Sequence, residues 1–222
     1  MKVAVLFSGG KDSCYSAYKA KQAGNELTCL ISIHSKNPDS YMFHTPNISL
    51  TKKQAEVMGL PLIVHETLGE KEKELDDLKD SIKIAKEKYE IEGVVTGALH
   101  SNYQAERIQK ICDDLGLKCL NPLWHMDEIN YLKNLIKDNF KVLIVGVAAY
   151  PLDNSWLNRI IDEKFVEDAK ELKEKYKIHP AGEGGEFETF VLDCPLFKKE
   201  LKAFKKNIKG EKHTWKMEIK IA

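Results

Sequence analysis

The 222-residue sequence lacks several features that would each define a class of protein. Five cysteines are present, but no two form a CxxC pair, and no group of histidines and cysteines has the spacing of a zinc site. An odd number of cysteines without such a framework is typical of reduced thiols, so we expect a cytoplasmic location. No apolar run approaches the ~20 residues that a transmembrane helix needs. Met1-Lys2-Val3 leads directly into an apolar run, which is not the pattern of a signal peptide.

An excess of positive charge is also missing. The 34 lysines and arginines balance 34 acidic residues, and Arg107 and Arg159 are the only arginines. This balance argues against general nucleic-acid binding as the main role. The segment 198–220 is locally basic, which indicates either a solvated face or a docking surface in a larger complex. The length allows one large or two small domains with a substantial apolar core.

Apolar runs alternate with amphipathic stretches along most of the chain, which favours an α/β fold. We expect a parallel five-stranded sheet with helices on both faces (residues 1–125), followed by a smaller mixed α+β lobe (residues 126–222). The predicted strands are residues 3–7, 27–33, 60–64, 93–97, 118–120, 141–149, 186–192, 201–208 and 213–221. The predicted helices are residues 48–58, 70–89, 101–115, 127–138 and 160–176, and a turn is expected at 209–211. Asn47 or Ser49 is expected to cap the first of these helices, and Gly59 to end it.

A glycine-rich turn follows the first predicted strand and precedes a helix. Two adjacent glycines allow the backbone to turn tightly, and the first amides of a helix have no acceptor within it, so the turn predicts an anion site. The spacing is neither that of a Walker A loop nor that of a GxGxxG motif. The predicted phosphate-binding residues are Ser8, Gly9, Gly10, Lys11, Asp12 and Ser13.

A second glycine-rich stretch, residues 182–188, carries three carboxylates, on Glu183, Glu186 and Glu188. If a strand starts at Glu186, then Glu186 and Glu188 share a face and Phe187 points the other way. Clustered carboxylates suit Mg²⁺ on a polyphosphate, a cationic substrate group, or proton transfer. The alternative is a solvated acidic hairpin.

Polar residues also follow the fourth predicted strand, where ligands of a parallel sheet bind. His100 suits either a base or a structural histidine, and Arg107 suits either an anion contact or a surface ion pair. In the loop 39–47, two aromatic residues and a methionine indicate either a pocket lining or a loop that tucks apolar side chains onto the sheet.

The Ser-Gly-Gly-Lys-Asp-Ser run resembles the signature of the ATP pyrophosphatase (PP-loop) superfamily. Within it, the chain resembles the diphthine–ammonia ligases, also called diphthamide synthases. The most specific similarity is Gly-Glu-Gly-Gly-Glu-Phe-Glu-Thr at 182–189, and further matches are 39–43, 60–62, 97–104, 112–124 and 193–197. The resemblance extends from residue 3 to about residue 197.

This resemblance implies ATP-dependent amidation of diphthine, a modified histidine of translation elongation factor 2, with release of AMP and pyrophosphate. ATP and Mg²⁺ would be the cofactors, with Asp12 as the candidate metal ligand. Lys11, Asp12, Glu183, Glu186 and Glu188 would be catalytic. Adenosine would lie near His34 and Gly97. Tyr41, Tyr103 and Gln104 would contact substrate together with Glu183, Glu186 and Glu188.

The resemblance implies elongation factor 2 as the protein partner. Free ammonium is the expected nitrogen source, because the sequence carries no glutaminase signature. No membrane or nucleic-acid partner is expected, and a homo-oligomer is compatible with the sequence. Two other functions stay open at this point: another PP-loop adenylating enzyme, such as a tRNA-thiolating enzyme, or a non-catalytic ATP-binding sensor. The absence of a CxxC pair argues against thiolation, although Cys112 and Cys119 lie seven residues apart across a turn.

Overall fold

A computed structural model describes residues 1–35, 47–68 and 73–222, except for the side chains at positions 73, 205 and 206. The chain divides into two compact units, Met1–Trp124 and His125–Ala222. The predicted loop containing Tyr41 and the predicted helix start at residue 70 lie outside the described residues. Among the described residues, no helix combines the length and the apolar character needed to cross a membrane.

The first unit alternates strands with helices. Its strands are β1 (Lys2–Leu6), β2 (Glu26–Ser35), β3 (Leu62–Thr67), β4 (Gly93–Val95) and β5 (Lys118–Leu120). Its helices are α1 (Lys11–Gln22), α2 (Thr51–Met58), α3 (Lys73–Tyr89) and α4 (Asn102–Asp114), and a 3-10 turn at Ile48–Leu50 precedes α2. In this described part the strands form one parallel sheet in the order β3-β2-β1-β4-β5. The predicted α/β fold with a five-stranded parallel sheet is confirmed.

Helices cover both faces of this sheet. The apolar stripes of α3 and α4 form one core with alternate strand residues such as Ala4 and Val94. Val3 and Val5 are also buried, and because strand side chains alternate they point to the opposite face, where α1 contacts β1, β2 and β4. The strand order reverses between β1 and β4, so the loops that follow these two strands meet at the carboxyl edge of the sheet.

Several predicted boundaries in the first unit are wrong. The third strand begins at Leu62, not residue 60, because Pro61 has no N–H to donate to the ladder. The fourth strand ends at Val95. Asn47 occupies the N-cap position of the 3-10 turn that leads into α2, as one of the two expected caps, but its side chain makes no capping bond. Leu50, in the same turn, is the residue before α2 itself. Gly59 ends α2 in the left-handed conformation as expected.

The second unit places two helices beside an antiparallel sheet. The helices are α5 (Glu128–Lys137) and α6 (Glu163–Tyr176), which contact each other. The strands are β6 (Lys141–Ala148), β7 (Phe187–Asp193), β8 (Ala203–Glu211) and β9 (Thr214–Ile221), in the order β7-β6-β9-β8 among the described residues. The predicted mixed α+β lobe is confirmed.

Two expectations in the second unit are corrected. Helix α6 begins at Glu163, not residue 160, because the Asp162 carboxylate caps it by accepting from the Phe165 amide at 2.8 Å. The hairpin turn lies at residues 212–213, not 209–211. Gly210 belongs to β8 and permits a close strand approach, since an added Cβ would lie 2.6 Å from the Trp215 Cα.

Candidate functional site

The loop between β1 and α1 is closed by its own two serines. The Ser8 amide donates to Ser13 Oγ at 3.3 Å, and the Ser13 hydroxyl donates to the Gly10 carbonyl at 3.1 Å. Helix α1 then starts at Lys11 with Gly10 as its cap residue, and no side chain caps it. The amides of the first helical turn have no acceptor inside the helix, so this end attracts an anion.

A charge pair lies in the first turn of α1. The Lys11 Nζ atom is 2.9 Å from Asp12 Oδ2, and the two side chains are 3% and 32% exposed. The lysine is therefore held within the fold, while its partner carboxylate reaches solvent. Carboxylate oxygen is the ligand chemistry that Mg²⁺ prefers, so Asp12 fits the predicted metal role.

Gln54 of α2 fixes the glycine loop and was not predicted from the sequence. It is fully buried, and its amide nitrogen donates to the Gly9 carbonyl at 2.9 Å. Gly9 has a φ of +78°, and an added Cβ would lie 2.1 Å from Gln54 Oε1. Only glycine fits this position without displacement, because both the backbone angle and the glutamine exclude a side chain.

The loop after β4 reaches the same helix end. An added Cβ on Gly97 would lie 3.0 Å from the Asp12 carbonyl carbon and 3.1 Å from the Ser13 amide nitrogen. Next to it, Thr96 Oγ1 donates to Asn121 Oδ1 at 2.6 Å, which ties the ends of β4 and β5 together. The structure thus brings Gly97 against the predicted phosphate loop, whereas its place beside adenosine stays a prediction.

His34 lies at the carboxyl end of β2, opposite Glu66 of β3. Burial lowers the pKa of His34 against the opposing effect of the Glu66 charge, so the ring is neutral near pH 7. Its Nε2 atom is buried and has no hydrogen-bond partner among the described residues. An unsatisfied buried ring nitrogen at this edge of the sheet fits the role predicted for His34 beside a purine.

The acidic loop between α6 and β7 uses its backbone amides internally. Five successive N–H groups, from residue 181 to residue 185, each donate to an acceptor within the loop or just before it. The acceptors are His179 Nδ1 for residues 181 and 183, the His179 carbonyl for 182, Glu186 Oε2 for 184 and the Gly182 carbonyl for 185. Since these amides are satisfied, this glycine-rich loop is not an anion cradle.

Glu186 and His179 hold the acidic loop from two sides. The Glu186 carboxylate accepts from the His179 amide at 3.0 Å and from the Gly184 amide at 2.8 Å. The other ring nitrogen of His179, Nε2, lies 3.6 Å from Glu128 Oε1, and Lys173 binds the second oxygen of Glu128 at 3.2 Å. Although burial opposes it, the pKa of Glu128 is lowered by its own backbone amide, by Lys173 and by His179. The imidazole therefore accepts at Nδ1 and carries its proton toward the Glu128 carboxylate.

These contacts remove Glu186 from the strand face that it was predicted to share with Glu188. Strand β7 begins at Phe187, so Glu186 precedes it and turns back into the loop. Glu188 lies within β7 opposite Gly146 of β6, and an added Cβ on that glycine would approach the Glu188 Cβ to 3.1 Å. Phe187 is buried against Phe165, with ring centroids 5.5 Å apart. Glu183 lies half-buried in the loop beside these residues.

Other candidate residues lie near the start of α4. The Arg107 guanidinium stacks on Tyr103, with Cζ 3.4 Å from the ring centroid, so it is not a simple surface ion pair. Tyr103, Gln104 and His100 are half-buried there. Their substrate and catalytic roles stay predictions, as does that of Tyr41, which lies outside the described residues.

The five cysteines, all in described parts of the chain, are free thiols. Cys112 is buried, and a hydrogen bond with Cys119, together with burial, raises the pKa of Cys112. The same hydrogen bond lowers the pKa of Cys119, whose sulfur also accepts a hydrogen bond from the side-chain amide of Asn121 at 3.8 Å. No described pair forms a disulfide or a CxxC module.

Comparison with known proteins gives matches over both units. A model of the diphthamide synthase N-terminal domain matches residues 1–119, and a model of the diphthamide synthase C-terminal domain matches residues 127–222. Diphthine–ammonia ligase of mouse (Mus musculus) is 38% identical over 222 residues, and that of Homo sapiens is 37% identical over 220 residues. Each alignment covers 90% of this chain and 82% of the relative.

Among solved structures, a predicted subunit of tRNA methyltransferase from Methanocaldococcus jannaschii aligns with a TM-score of 0.44 and 21% identity. That alignment covers 88% of this chain and 98% of the other. The two domain models and the two ligases are the matches that identify the family. On this basis, the chain belongs to the diphthine–ammonia ligase (diphthamide synthase) family.

Proposed function

We propose that this protein is an ATP-dependent ligase that amidates diphthine to diphthamide and releases AMP and pyrophosphate. The observation that carries the proposal is the match of both units, including residues 8–13 and 182–189, to the two diphthamide synthase domains. The alternative of tRNA thiolation is not favoured, because the family match extends over the second unit as well.

The reaction needs activation because a carboxylate has no good leaving group. The diphthine carboxylate attacks the α-phosphorus of ATP, which forms an acyl-adenylate and breaks the bond to pyrophosphate. Ammonia then attacks the acyl carbon, which forms the amide, releases AMP and leaves one proton to be taken up. Water must be kept from the adenylate until ammonia has attacked it.

The first unit, residues 1–125 of the proposed domain division, supplies the ATP site. The N-terminal end of α1 and the loop that contains Ser8 and Ser13 bind the phosphates. Lys11 stabilises the negative charge that develops on pyrophosphate. Asp12 would hold Mg²⁺, which supplies further positive charge to the polyphosphate when bound. Gly97 and His34 accommodate the nucleoside, for which the close approach of Gly97 to α1 and the buried His34 nitrogen are the support.

The second unit, residues 126–222, binds the acceptor. Diphthine carries a quaternary ammonium group, and the carboxylates of Glu183, Glu186 and Glu188 give this unit a negative loop. Glu186 acts by positioning the loop, because both of its oxygens accept backbone amides. Glu183 and Glu188 are the carboxylates proposed to contact the acceptor or ammonia.

The acceptor protein is proposed to be translation elongation factor 2, and the nitrogen source free ammonium. A cytoplasmic location agrees with this pair of substrates and with the free thiols of the chain.

Product analysis tests the function. The full-length protein is incubated with ATP, Mg²⁺, ammonium and diphthine-bearing elongation factor 2, and the nucleotides are separated by chromatography. We expect AMP and pyrophosphate in equal amounts, with diphthamide formed only when ammonium is present. Formation of ADP and phosphate would contradict the assignment, and binding of ATP without any turnover would support the sensor alternative.

A further inference from the structure

Two tyrosines and a histidine form an exposed aromatic cluster in the second unit. The ring centroids of Tyr150 and Tyr176 are 5.5 Å apart with an interplanar angle of 82°, and those of Tyr150 and His213 are 4.9 Å apart at 88°. Tyr150 is 63% exposed and Tyr176 is 44% exposed, although large apolar residues of this unit are otherwise mostly buried. We call these three residues the aromatic corner.

The aromatic corner and the acidic loop lie at the same end of the antiparallel sheet. Tyr150 follows the end of β6, and His213 precedes the start of β9, where Ala148 pairs with Thr214. On the other side of β6, the Ala148 amide donates to the Glu186 carbonyl at 2.8 Å. Tyr176 ends α6, directly before the segment that enters the acidic loop.

Contacts around the aromatic corner keep its rings in place and provide negative charge. The His213 Nδ1 atom lies 2.9 Å from the Leu152 carbonyl, which can only accept, so Nδ1 carries a proton. Hydrogen bonds from Ser155, with a further contribution from His213, hold the pKa of Asp153 below its usual range. Beside Tyr176, the charge of Lys175 is paired with Glu171 at 3.2 Å.

Exposed aromatic rings beside carboxylates suit a quaternary ammonium cation. Such a cation has no N–H to donate, so it is bound by the faces of aromatic rings and by nearby carboxylates. Perpendicular rings around Tyr150 present aromatic surface in more than one direction, and solvent exposure leaves this surface accessible.

We propose that Tyr150, Tyr176 and His213 bind the quaternary ammonium group of the acceptor, while the neighbouring acidic loop provides the compensating charge. This inference rests on the proposed function for the identity of the acceptor. It assigns acceptor recognition to three residues outside the glycine-rich segments, and it makes the methylation state of the acceptor a determinant of specificity.

A binding experiment tests the aromatic corner without turnover. Choline and its neutral tert-butyl isostere, in which carbon replaces the charged nitrogen, are titrated into the full-length protein and followed by NMR of the tyrosine rings. We expect choline to bind more tightly than the isostere, and Tyr150→Ala to weaken choline binding about two- to fivefold. Tyr150→Phe should retain binding, because it keeps the ring.

Phe204→Ala is the matched control. Phe204 is also an exposed aromatic residue, at 55%, but it pairs with Lys220 at the far end of the β8–β9 hairpin from His213. Choline binding should be unchanged in this variant. Equal binding of the two probes, or choline binding that survives both Tyr150→Ala and Tyr176→Ala, would overturn the proposal.

Kinetics then separate this proposal from the proposed function. In Tyr150→Ala and Tyr176→Ala, the KM for diphthine-bearing elongation factor 2 should rise while the KM for ATP stays constant. If the wild-type protein does not amidate diphthine, the proposed function fails, and the choline titration still decides the aromatic corner. If the wild type turns over and both variants keep its KM for the acceptor, the aromatic corner is refuted alone.

Discussion

Each unit of the chain carries a glycine-rich loop, but only the first of these loops leads directly into the start of a helix. In the first unit the loop leads into α1, whose first amides have no acceptor within the helix. In the second unit, the amides of residues 181–185 donate to the ring and carbonyl of His179, to the Glu186 carboxylate and to the Gly182 carbonyl. The two loops have a similar composition, but their hydrogen bonding predicts opposite ligands, an anion for the first loop and a cation for the second.

The residues that hold the two loops in place also differ. The first loop is held from outside by the buried Gln54 and by the close approach of Gly97. The second is held by an anionic side chain, Glu186, and by an imidazole backed by Glu128. A variant that damages one loop should leave the ligand of the other loop in place, and this expectation connects the predictions that follow.

The largest effect is expected for Lys11→Ala. Loss of the cation that we propose stabilises the developing pyrophosphate charge should lower kcat at least ~100-fold, the scale of a main electrostatic contact. Acceptor binding, measured by titration with elongation factor 2, should be unchanged. Lys21→Ala is the control, because Lys21 is an exposed lysine in the last turn of the same helix. Comparable rates for the two variants would remove the anion role of the first loop.

A smaller effect is expected for Glu186→Ala. Two loop amides, those of His179 and Gly184, lose their acceptor, which costs roughly 1–3 kcal/mol of local stability. We expect amidation to fall by about one order of magnitude or more while the Kd for ATP is retained. Hydrogen exchange of the loop amides should increase. An equal loss of ATP affinity would show that the second loop serves the nucleotide, and Glu211→Ala provides an exposed glutamate control in the same unit.

Gly9→Ala tests the outside support of the first loop. The substitution forces alanine into the left-handed region, at about 1–2 kcal/mol, and brings its Cβ to 2.1 Å from Gln54 Oε1. We expect ATP affinity to fall about tenfold. Gly24→Ala is matched in backbone angle, at +83° against +78°, but has no atom within 4 Å of the added Cβ. If the two variants bind ATP equally well, the contact with Gln54 has no part in shaping the site.

The smallest effect concerns pH. Because burial lowers the pKa of His34 in the folded state from 6.5, the unfolded chain binds a proton more readily. The stability from neutral His34 is complete above the unfolded pKa and is lost as the pH falls below it. Urea unfolding at about pH 7.5 and about pH 5.5 should show a larger loss of stability in the wild type than in His34→Gln. The same loss in both proteins would place the pH sensitivity at other residues.

The sequence predicted what depends on contiguous residues. Six adjacent residues specify the first loop, so its place between β1 and α1 could be predicted from glycine spacing and the apolar run before it. Gln54 could not be found in this way, because it lies 45 residues from Gly9 and reaches the loop only through the packing of α2. Gln54 lies within α2, and nothing in the residues around it shows that its side chain is buried against the glycine loop.

The second unit was harder to predict for the same reason. The pattern of 186–188 was assigned to a strand face, whereas the side chain of Glu186 turns back to satisfy loop amides. A turn was expected at Gly210, but that glycine is required by the close approach of β9. Tyr150 and His213 are 63 positions apart in sequence and meet only because β6 pairs with β9.

The central claim, that the two units together make an amide at the expense of ATP, is tested most directly by isotope transfer. Isotopically heavy ammonium, ATP and diphthine-bearing elongation factor 2 are mixed with the full-length protein, and heavy nitrogen in the acceptor and AMP in solution are quantified by mass spectrometry. The account predicts one heavy nitrogen in the modified histidine for each AMP formed. Formation of AMP without nitrogen transfer, or transfer accompanied by ADP, would contradict it.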